Sequence, residues 1–244
     1  MDETDKQKLL RGKTRANLPP EYQMIYERHY KDNRNGDTAA ASMTQKMERW
    51  LHRQVAKDTE DMLSTLEIGA GTLNQLGYEK GNVYDIVEPF TALYEGSNKL
   101  KRIRTVYDYI ENVPPSNKYN RIISCAALEH IENLAFVVSK SGLLLRDGGC
   151  FRAAVPSHGG FLWKISYTLT SGLEFRMRHH LSYSVIMNYE HINTVDEIEW
   201  IINFFYKEVK RKRLGLSKNL SFYSFFEARY PDLRRCNDYC SIGL

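Results

Sequence analysis

The apolar and polar positions change period along the chain, and the changes mark out alternating strands and helices. Met43, Met47, Leu51 and Val55 recur every four residues with Trp50 beside them, which predicts an amphipathic helix over 39–57. The apolar run 63–68 stops at Gly69-Ala70-Gly71, as a buried strand, a tight turn and a helix start would. Gly77 and Gly81 keep that helix short. Further strands are predicted at 82–88, 103–107, 121–125 and 150–155, with helices at about 89–97 and 131–145 and a turn at Asp147-Gly148-Gly149. Val195, Ile198, Ile201, Ile202 and Phe205 make one face of a helix over 194–206, with Thr194 and Glu197 spaced as a capping box. Strands at 207–214 and 220–228, joined around Gly215, form a closing hairpin. Strand alternating with helix implies a doubly wound α/β sheet, whose ligand sits at the carboxyl ends of the strands near the point where their order reverses.

Three divisions follow. Residues 1–58 are an N-terminal helical extension or cap, broken by Pro19-Pro20, with a short helix at 21–30 carrying Tyr22, Tyr26 and Tyr30 and a turn at 33–37. Residues 59–235 are the sheet domain, and 236–244 a tail. Within the domain, about 157–190 reads as a lid-like insertion after the fifth strand, with Gly159-Gly160, Trp163, Tyr167 and Arg176 to His180.

The 244 residues allow one large domain with a real core. No run of about 18 apolar residues is present, so no membrane span is expected, and the charged start predicts a cytoplasmic protein. Cys125 and Cys150 fall in strands; Cys236 and Cys240 form a lone pair, a weak zinc signal, and no residue cluster compels a metal. The net charge of +4 is modest, and much of it lies in Lys207 to Lys218, which reads as a solvated face or a phosphate-attracting run.

The chemistry concentrates at two strand tips. Glu67 precedes the glycine turn, and Glu88 closes the second strand about 20 residues later, where a carboxylate suits two vicinal ribose hydroxyls. Asp108 and Tyr109 follow the third strand, placed to read an adenine amine and pack on its ring. Ala126-Ala127-Leu128-Glu129-His130 follows the fourth.

With Glu67, Gly69 and Gly71 at the first strand and Glu88 at the second, the chain resembles the class I S-adenosylmethionine-dependent methyltransferases over about residues 60–230. Many members carry a third glycine where this chain has Leu73. Ala127-Leu128-Glu129-His130, Leu144 with Gly148-Gly149, and Tyr189-Glu190-His191-Ile192-Asn193-Thr194 resemble segments of small-molecule and sugar-type members of bacterial surface polysaccharide pathways. The resemblance implies a seven-stranded, mostly parallel sheet with an antiparallel terminal strand. It implies S-adenosylmethionine as cofactor, with S-adenosylhomocysteine as product, held by Glu67, Gly69, Ala70, Gly71, Glu88, Pro89, Asp108, Tyr109 and Ala126. It also implies methyl transfer to an oxygen or nitrogen of a small polar acceptor. Histidine suits proton transfer near neutral pH, which makes His130 and His191 the catalytic candidates, with His158, His179 and His180 behind them.

Three other readings compete. A nicotinamide-dependent dehydrogenase wants glycine at the sixth fingerprint position, which is Asn74 here. An RNA methyltransferase would use the basic run, but Ser124-Cys125-Ala126-Ala127 replaces the signature of amino-directed nucleic-acid enzymes, so nucleic acid is not the expected partner. A methyltransferase-like binding protein would keep the fold without the activity.

Overall fold

The computed structural model describes residues 3–23, 25, 41–57, 63–81, 83–162, 168, 173–217 and 219–242. The Tyr26 and Tyr30 positions, the turn at 33–37, and Trp163 and Tyr167 of the insertion lie outside the described residues.

Helices α1 (Glu3–Leu10) and α2 (Ala41–Ala56) precede the sheet strands β1 (Ser64–Ile68), β2 (Val83–Val87), β3 (Thr105–Tyr107) and β4 (Tyr119–Cys125). Helix α3 (Leu134–Leu144) and strand β5 (Leu145–Pro156) follow, then α4 (Leu173–His179), α5 (Tyr183–Glu190) and α6 (Val195–Phe205). Strands β6 (Tyr206–Gly215) and β7 (Ser221–Pro231) and helix α7 (Leu233–Ile242) end the described chain. The seven strands form one sheet in the order β3-β2-β1-β4-β5-β7-β6. Neighbours from β3 to β5 pair in parallel, and β7 runs antiparallel to both β5 and β6. The order reverses between β1 and β4, so the crevice expected of a doubly wound sheet opens at their carboxyl ends. No helix among the described residues is long and apolar enough to cross a membrane.

Alternation along the strands divides the core in two. Leu66, Ile68, Ile122, Phe151, Val155 and Phe226 face α3, α6 and α7. Tyr84, Ile86, Ile123, Ala154, Tyr223 and Phe225 face Leu51 and Val55 of α2. This second face also carries buried charge. Arg121 of β4 donates to Glu79 (2.7 Å), to Thr65 Oγ1 (3.3 Å) and to the Val55 carbonyl (2.8 Å). Arg152 of β5 pairs with Glu227 (2.6 Å) and reaches the same Val55 carbonyl (3.3 Å). Two guanidinium groups therefore close the carbonyl end of α2, where the helix dipole is negative. A third cluster, Leu18, Tyr22, Phe175 and Ile186, ties the N-terminal segment to α4 and α5, and the Ser182 backbone N–H donates to Tyr22 Oη (3.0 Å).

Several expected elements differ in form. No α-helix forms over 89–97; the chain makes a 3₁₀ turn at Thr91–Leu93 and, just beyond the segment, another at Asn98–Arg102, and Tyr94 between them packs into the α2-side core without a helix. The helix after Gly71 is likewise one 3₁₀ turn, Gln75–Gly77, which leaves α2 to cover this face. The turn expected at Asp147–Gly149 is a bulge inside β5: pairing jumps from Tyr119↔Leu145 to Arg121↔Cys150. Gly148 has φ +74°, and a Cβ on Gly149 would stand 2.9 Å from two backbone carbonyl oxygens, so the bulge uses the conformations glycine allows. Helix α3 starts at Leu134 because Asn133 caps it, accepting from the Phe136 N–H (3.3 Å). The Thr194–Glu197 capping box of α6 forms as the spacing predicts. Residues 233–242, where no element was expected, form α7, which buries Cys236 in the main core.

Lys207 to Arg213 of the basic run lie on β6, the edge of the sheet. Arg211 and Arg213 pair with Glu199, and Lys210 with Glu208. Charge on an edge strand blocks further strand pairing, which accounts for the run as a solvated face.

Leu73 has φ +60°, the left-handed conformation that a glycine would take at that position, and its side chain is fully buried. The backbone strain, about 1–2 kcal/mol, is offset by apolar burial. Leu73→Ala keeps the strain and loses the packing, for an expected loss of about 2–5 kcal/mol. Leu73→Gly should be the milder change by about 1 kcal/mol, the reverse of the usual order for alanine and glycine. Chemical denaturation of the two variants checks this; an alanine variant as stable as the glycine one or more so would remove the strain.

Candidate functional site

The site is built at the carboxyl edge of β2, β1 and β4. Leaving β1, Gly69 has φ +70°, and its N–H donates to the Val87 carbonyl (2.9 Å). A Cβ on Gly69 would stand 2.3 Å from the Ala127 Cβ, so only glycine allows β1 and β4 to approach this closely. Gly71 has φ +50°, and a Cβ there would meet nothing within 4 Å. The backbone at Gly71 thus borders open space.

Glu88 ties this turn to the end of β2. One carboxylate oxygen accepts from the Gly71 N–H (2.8 Å) and the other from the Phe90 N–H (3.0 Å), while its own N–H donates to the Tyr107 carbonyl at the end of β3 (2.9 Å). The ends of three strands are thereby fastened together, and the bracing by Glu88 is a role the spacing alone did not indicate. Ala70 is buried; Pro89, Asp108, Tyr109 and Ala126 are exposed around the same edge. Ala126 also takes a left-handed conformation (φ +53°) as the chain leaves β4.

Glu67 faces the α2 side and is buried, with Tyr84 Oη donating to it (2.7 Å). Burial pushes its carboxyl up to about 8, against the opposing pull of the Tyr84 hydrogen bond. Beside it, His52 of α2 stacks on Tyr78 and lies 2.7 Å from Gln75 Oε1 and 3.4 Å from Cys125 Sγ. Burial holds the Cys125 thiol far above its ordinary range, so it stays protonated.

A second group forms where the chain turns after β4. His130 and His191 meet edge to face with centroids 4.9 Å apart, and His158 meets His191 in the same way at 5.2 Å. His130 Nδ1 lies 2.8 Å from the Glu190 carbonyl, an acceptor only; Nδ1 therefore carries the proton and Nε2 the lone pair. Glu129 is buried, with one oxygen 3.8 Å from His130 Nε2 and the other without a hydrogen-bond partner among the described residues. Burial pushes the Glu129 carboxyl up to about 8. Burial, then the neighbouring His130 and His158, holds the His191 imidazole down to about 2, and burial lowers His130 and His158 as well. The cluster is therefore neutral near pH 7.

Asn193 brings the two halves together. Its side-chain amide donates to the carbonyls of Leu128 (3.0 Å) and Ile131 (2.7 Å), and its N–H to the Glu129 carbonyl (3.1 Å). The N-terminal strap closes over them: Lys13 Nζ donates to the Ile192 carbonyl and to Glu197 (both 2.7 Å), and Arg15 donates to the His130 carbonyl (3.0 Å). The structure thus joins His130 and His191, separated by 60 residues, and adds His158 and Glu129. His179 packs instead on Phe175, and His180 is exposed at the end of α4. Glu129 stood in a quoted motif without a role. Asn193 likewise stood in the quoted 189–194 segment without a role, and Lys13 and Arg15 carried no sequence signal, since they act on groups far along the chain.

No family model and no curated protein matches this chain. Solved structures do. A possible histamine N-methyltransferase from Thermotoga maritima matches with a TM-score of 0.51 and 16% identity, covering 77% of this chain and 96% of that one. Phosphoethanolamine N-methyltransferase 2 of Haemonchus contortus, in complex with S-adenosylmethionine, gives 0.51 and 14% over 77% of this chain and 53% of its own. A possible exported protein from Bordetella parapertussis gives 0.54 and 10%, covering 95% of this chain and 80% of that one. The likeness is one of fold: this chain has the α/β architecture of the S-adenosylmethionine-dependent methyltransferases among these structures.

Two outcomes follow from the site. Asn193→Ala leaves the buried Leu128 carbonyl and the half-buried Ile131 carbonyl without this donor and should cost about 2 kcal/mol, read by denaturant unfolding. Separately, Glu67 binds its proton more tightly folded than unfolded, so its contribution to stability is full below its ordinary value of 4.5 and is lost as pH rises through about 8. Glu129 acts in the same direction. Between pH 6.5 and 8 the melting temperature should therefore fall, and Glu67→Gln, which cannot ionise, should shrink that fall. An unchanged pH slope in the variant would show that Glu67 ionises normally.

Proposed function

We propose that this chain is an S-adenosylmethionine-dependent methyltransferase acting on an oxygen or nitrogen of a small polar acceptor. The observation that carries the reading is Gly71: a left-handed turn residue with open space where a side chain would stand, its N–H held by a buried carboxylate at the tip of the neighbouring strand. This is a cradle that backbone, not side chain, presents to a ligand.

The residues present fit that donor. Each Glu88 oxygen accepts one N–H and keeps a second lone pair, which suits two ribose hydroxyls. Glu67 is a buried carboxyl that a cationic neighbour would ionise, which suits an ammonium or sulfonium ligand. Gly69, Ala70 and Gly71 would offer backbone to the amino-acid portion, with Pro89, Asp108 and Tyr109 on the adenine side and Ala126 at the fourth strand. The donor, when bound, supplies a methyl group on a sulfonium that is already an activated leaving group. The chain has then to align the acceptor, exclude water and take a proton.

His130 and His191 are the acceptor-side groups in this reading. His130 Nε2, with its lone pair set by the Nδ1 contact to Glu190, is oriented to accept a hydrogen bond or proton from a hydroxyl acceptor. An amine acceptor reacts as its neutral form and needs only the orientation. A sugar or nucleotide-sugar of surface polysaccharide synthesis is the narrower form of the proposal, and it rests on the resemblance of 189–194 alone.

Calorimetry with S-adenosylmethionine and its demethylated product tests the reading. Both should bind, and Glu88→Ala should weaken them by about 10-fold or more, the loss of charge-assisted hydrogen bonds. Binding of a nicotinamide dinucleotide in place of both, or an unchanged affinity in Glu88→Ala, would overturn it.

A further inference from the structure

We propose that Glu129, His130 and His191 form a binding site for a divalent first-row transition ion such as zinc(II), cobalt(II) or iron(II). One ligand atom from each residue lies within 4.8 Å of the others, on two segments that Asn193 clamps together. Two imidazoles and one carboxylate are a donor set for these ions rather than for magnesium or calcium, which favour oxygen throughout.

Two independent observations support a cation. Glu129 is 1% exposed, yet one of its oxygens has no hydrogen-bond partner among the described residues. An ionised Glu129 in that position would lack a compensating charge, and an ion at the histidines would supply it. His130, in turn, has the arrangement of a ligand with its outer support already in place: Nδ1–H on the Glu190 carbonyl, Nε2 toward Glu129. Two ligands at about 2.1 Å from a tetrahedral ion lie ~3.4 Å apart. The 3.8 Å between Glu129 and His130 Nε2 needs to close by only a few tenths of an ångström.

Three protein ligands leave one position open. An ion of charge +2 on one carboxylate leaves the site positive, and Arg15 on the His130 carbonyl adds to it. The fourth ligand should therefore be anionic: hydroxide, or an acceptor oxygen as alkoxide. That use of the ion rests on the methyl-transfer reading above, whereas its binding does not. In that use His130 is a ligand and not a base: the ion lowers the pKa of the acceptor hydroxyl, and the proton leaves to solvent.

The full chain, stripped with a chelator and titrated with cobalt(II) without any methyl donor, should take up one ion per chain with the visible absorption of a low-coordinate site. Glu129→Gln and His191→Asn should each weaken binding by at least about 10–100-fold. His180→Asn, at the exposed end of α4, should leave it unchanged. X-ray absorption of the wild-type zinc complex needs no variant and should show imidazole and oxygen ligands. Failure to bind stoichiometrically, wild-type affinity in both variants, or a sulfur shell from the cysteines would overturn the proposal. Cobalt binding by a protein that ignores S-adenosylmethionine would uphold the ion site and remove the methyl-transfer reading; the converse would do the opposite.

Discussion

The carboxyl edge depends on how closely two strands leave the sheet. Gly69 passes Ala127 with no room for a Cβ, and this contact brings the β1 and β4 loops together at the point where the strand order reverses. Everything on the edge is arranged around it. The left-handed residues Gly69, Gly71 and Leu73 turn the chain away from β1, and Ala126 does the same after β4. Glu88, at the end of β2, reaches across to the Gly71 N–H and accepts locally from the Phe90 N–H. A bend of this kind stores strain, and Leu73 holds it without glycine because its side chain is sealed into the α2-side core.

The second face of the sheet shows what replaces missing helices. The connections after β1 and β2 are 3₁₀ turns, too short to cover the strands. Helix α2, from before the first strand, takes that place. Its carbonyl end rests on Arg121 and Arg152, whose charges are matched by Glu79 and Glu227. Buried ion pairs of this sort contribute little net stability over apolar packing, but removing one partner is costly. They therefore serve to fix where α2 sits, and with it His52 against Cys125 and Gln75.

Around the turn after β4, polar atoms from three distant segments converge by way of backbone carbonyls. Lys13, Arg15 and Asn193 each satisfy carbonyls of the turn after β4 or the loop before α6. In a buried setting such carbonyls have to be paired, so the side chains that pair them also determine which residues meet. The histidine cluster is a product of this satisfaction: no apolar contact alone would align three imidazole rings beside a buried carboxyl.

Local pattern was enough to read the strand and helix sequence, the α6 capping box, the closing hairpin and both acidic strand tips, because periodicity, glycine turns and caps act within a few residues. It overreached at 89–97, where short 3₁₀ turns bury Tyr94 in place of a helix, and at Asp147–Gly149, where glycines served a bulge rather than a turn. Composition could not show that Leu73 occupies a glycine conformation, since that depends on a core cavity built by other strands. Nor could spacing show that Glu129, His130, His158 and His191 adjoin, or that Asn193 holds them, because hydrogen bonds across 60 residues leave no periodic trace. The chain's order of apolar and polar residues determined the sheet and the edge on which a ligand would lie; only folding decided which charges and rings meet there, since burial and carbonyl pairing are properties of the assembled whole.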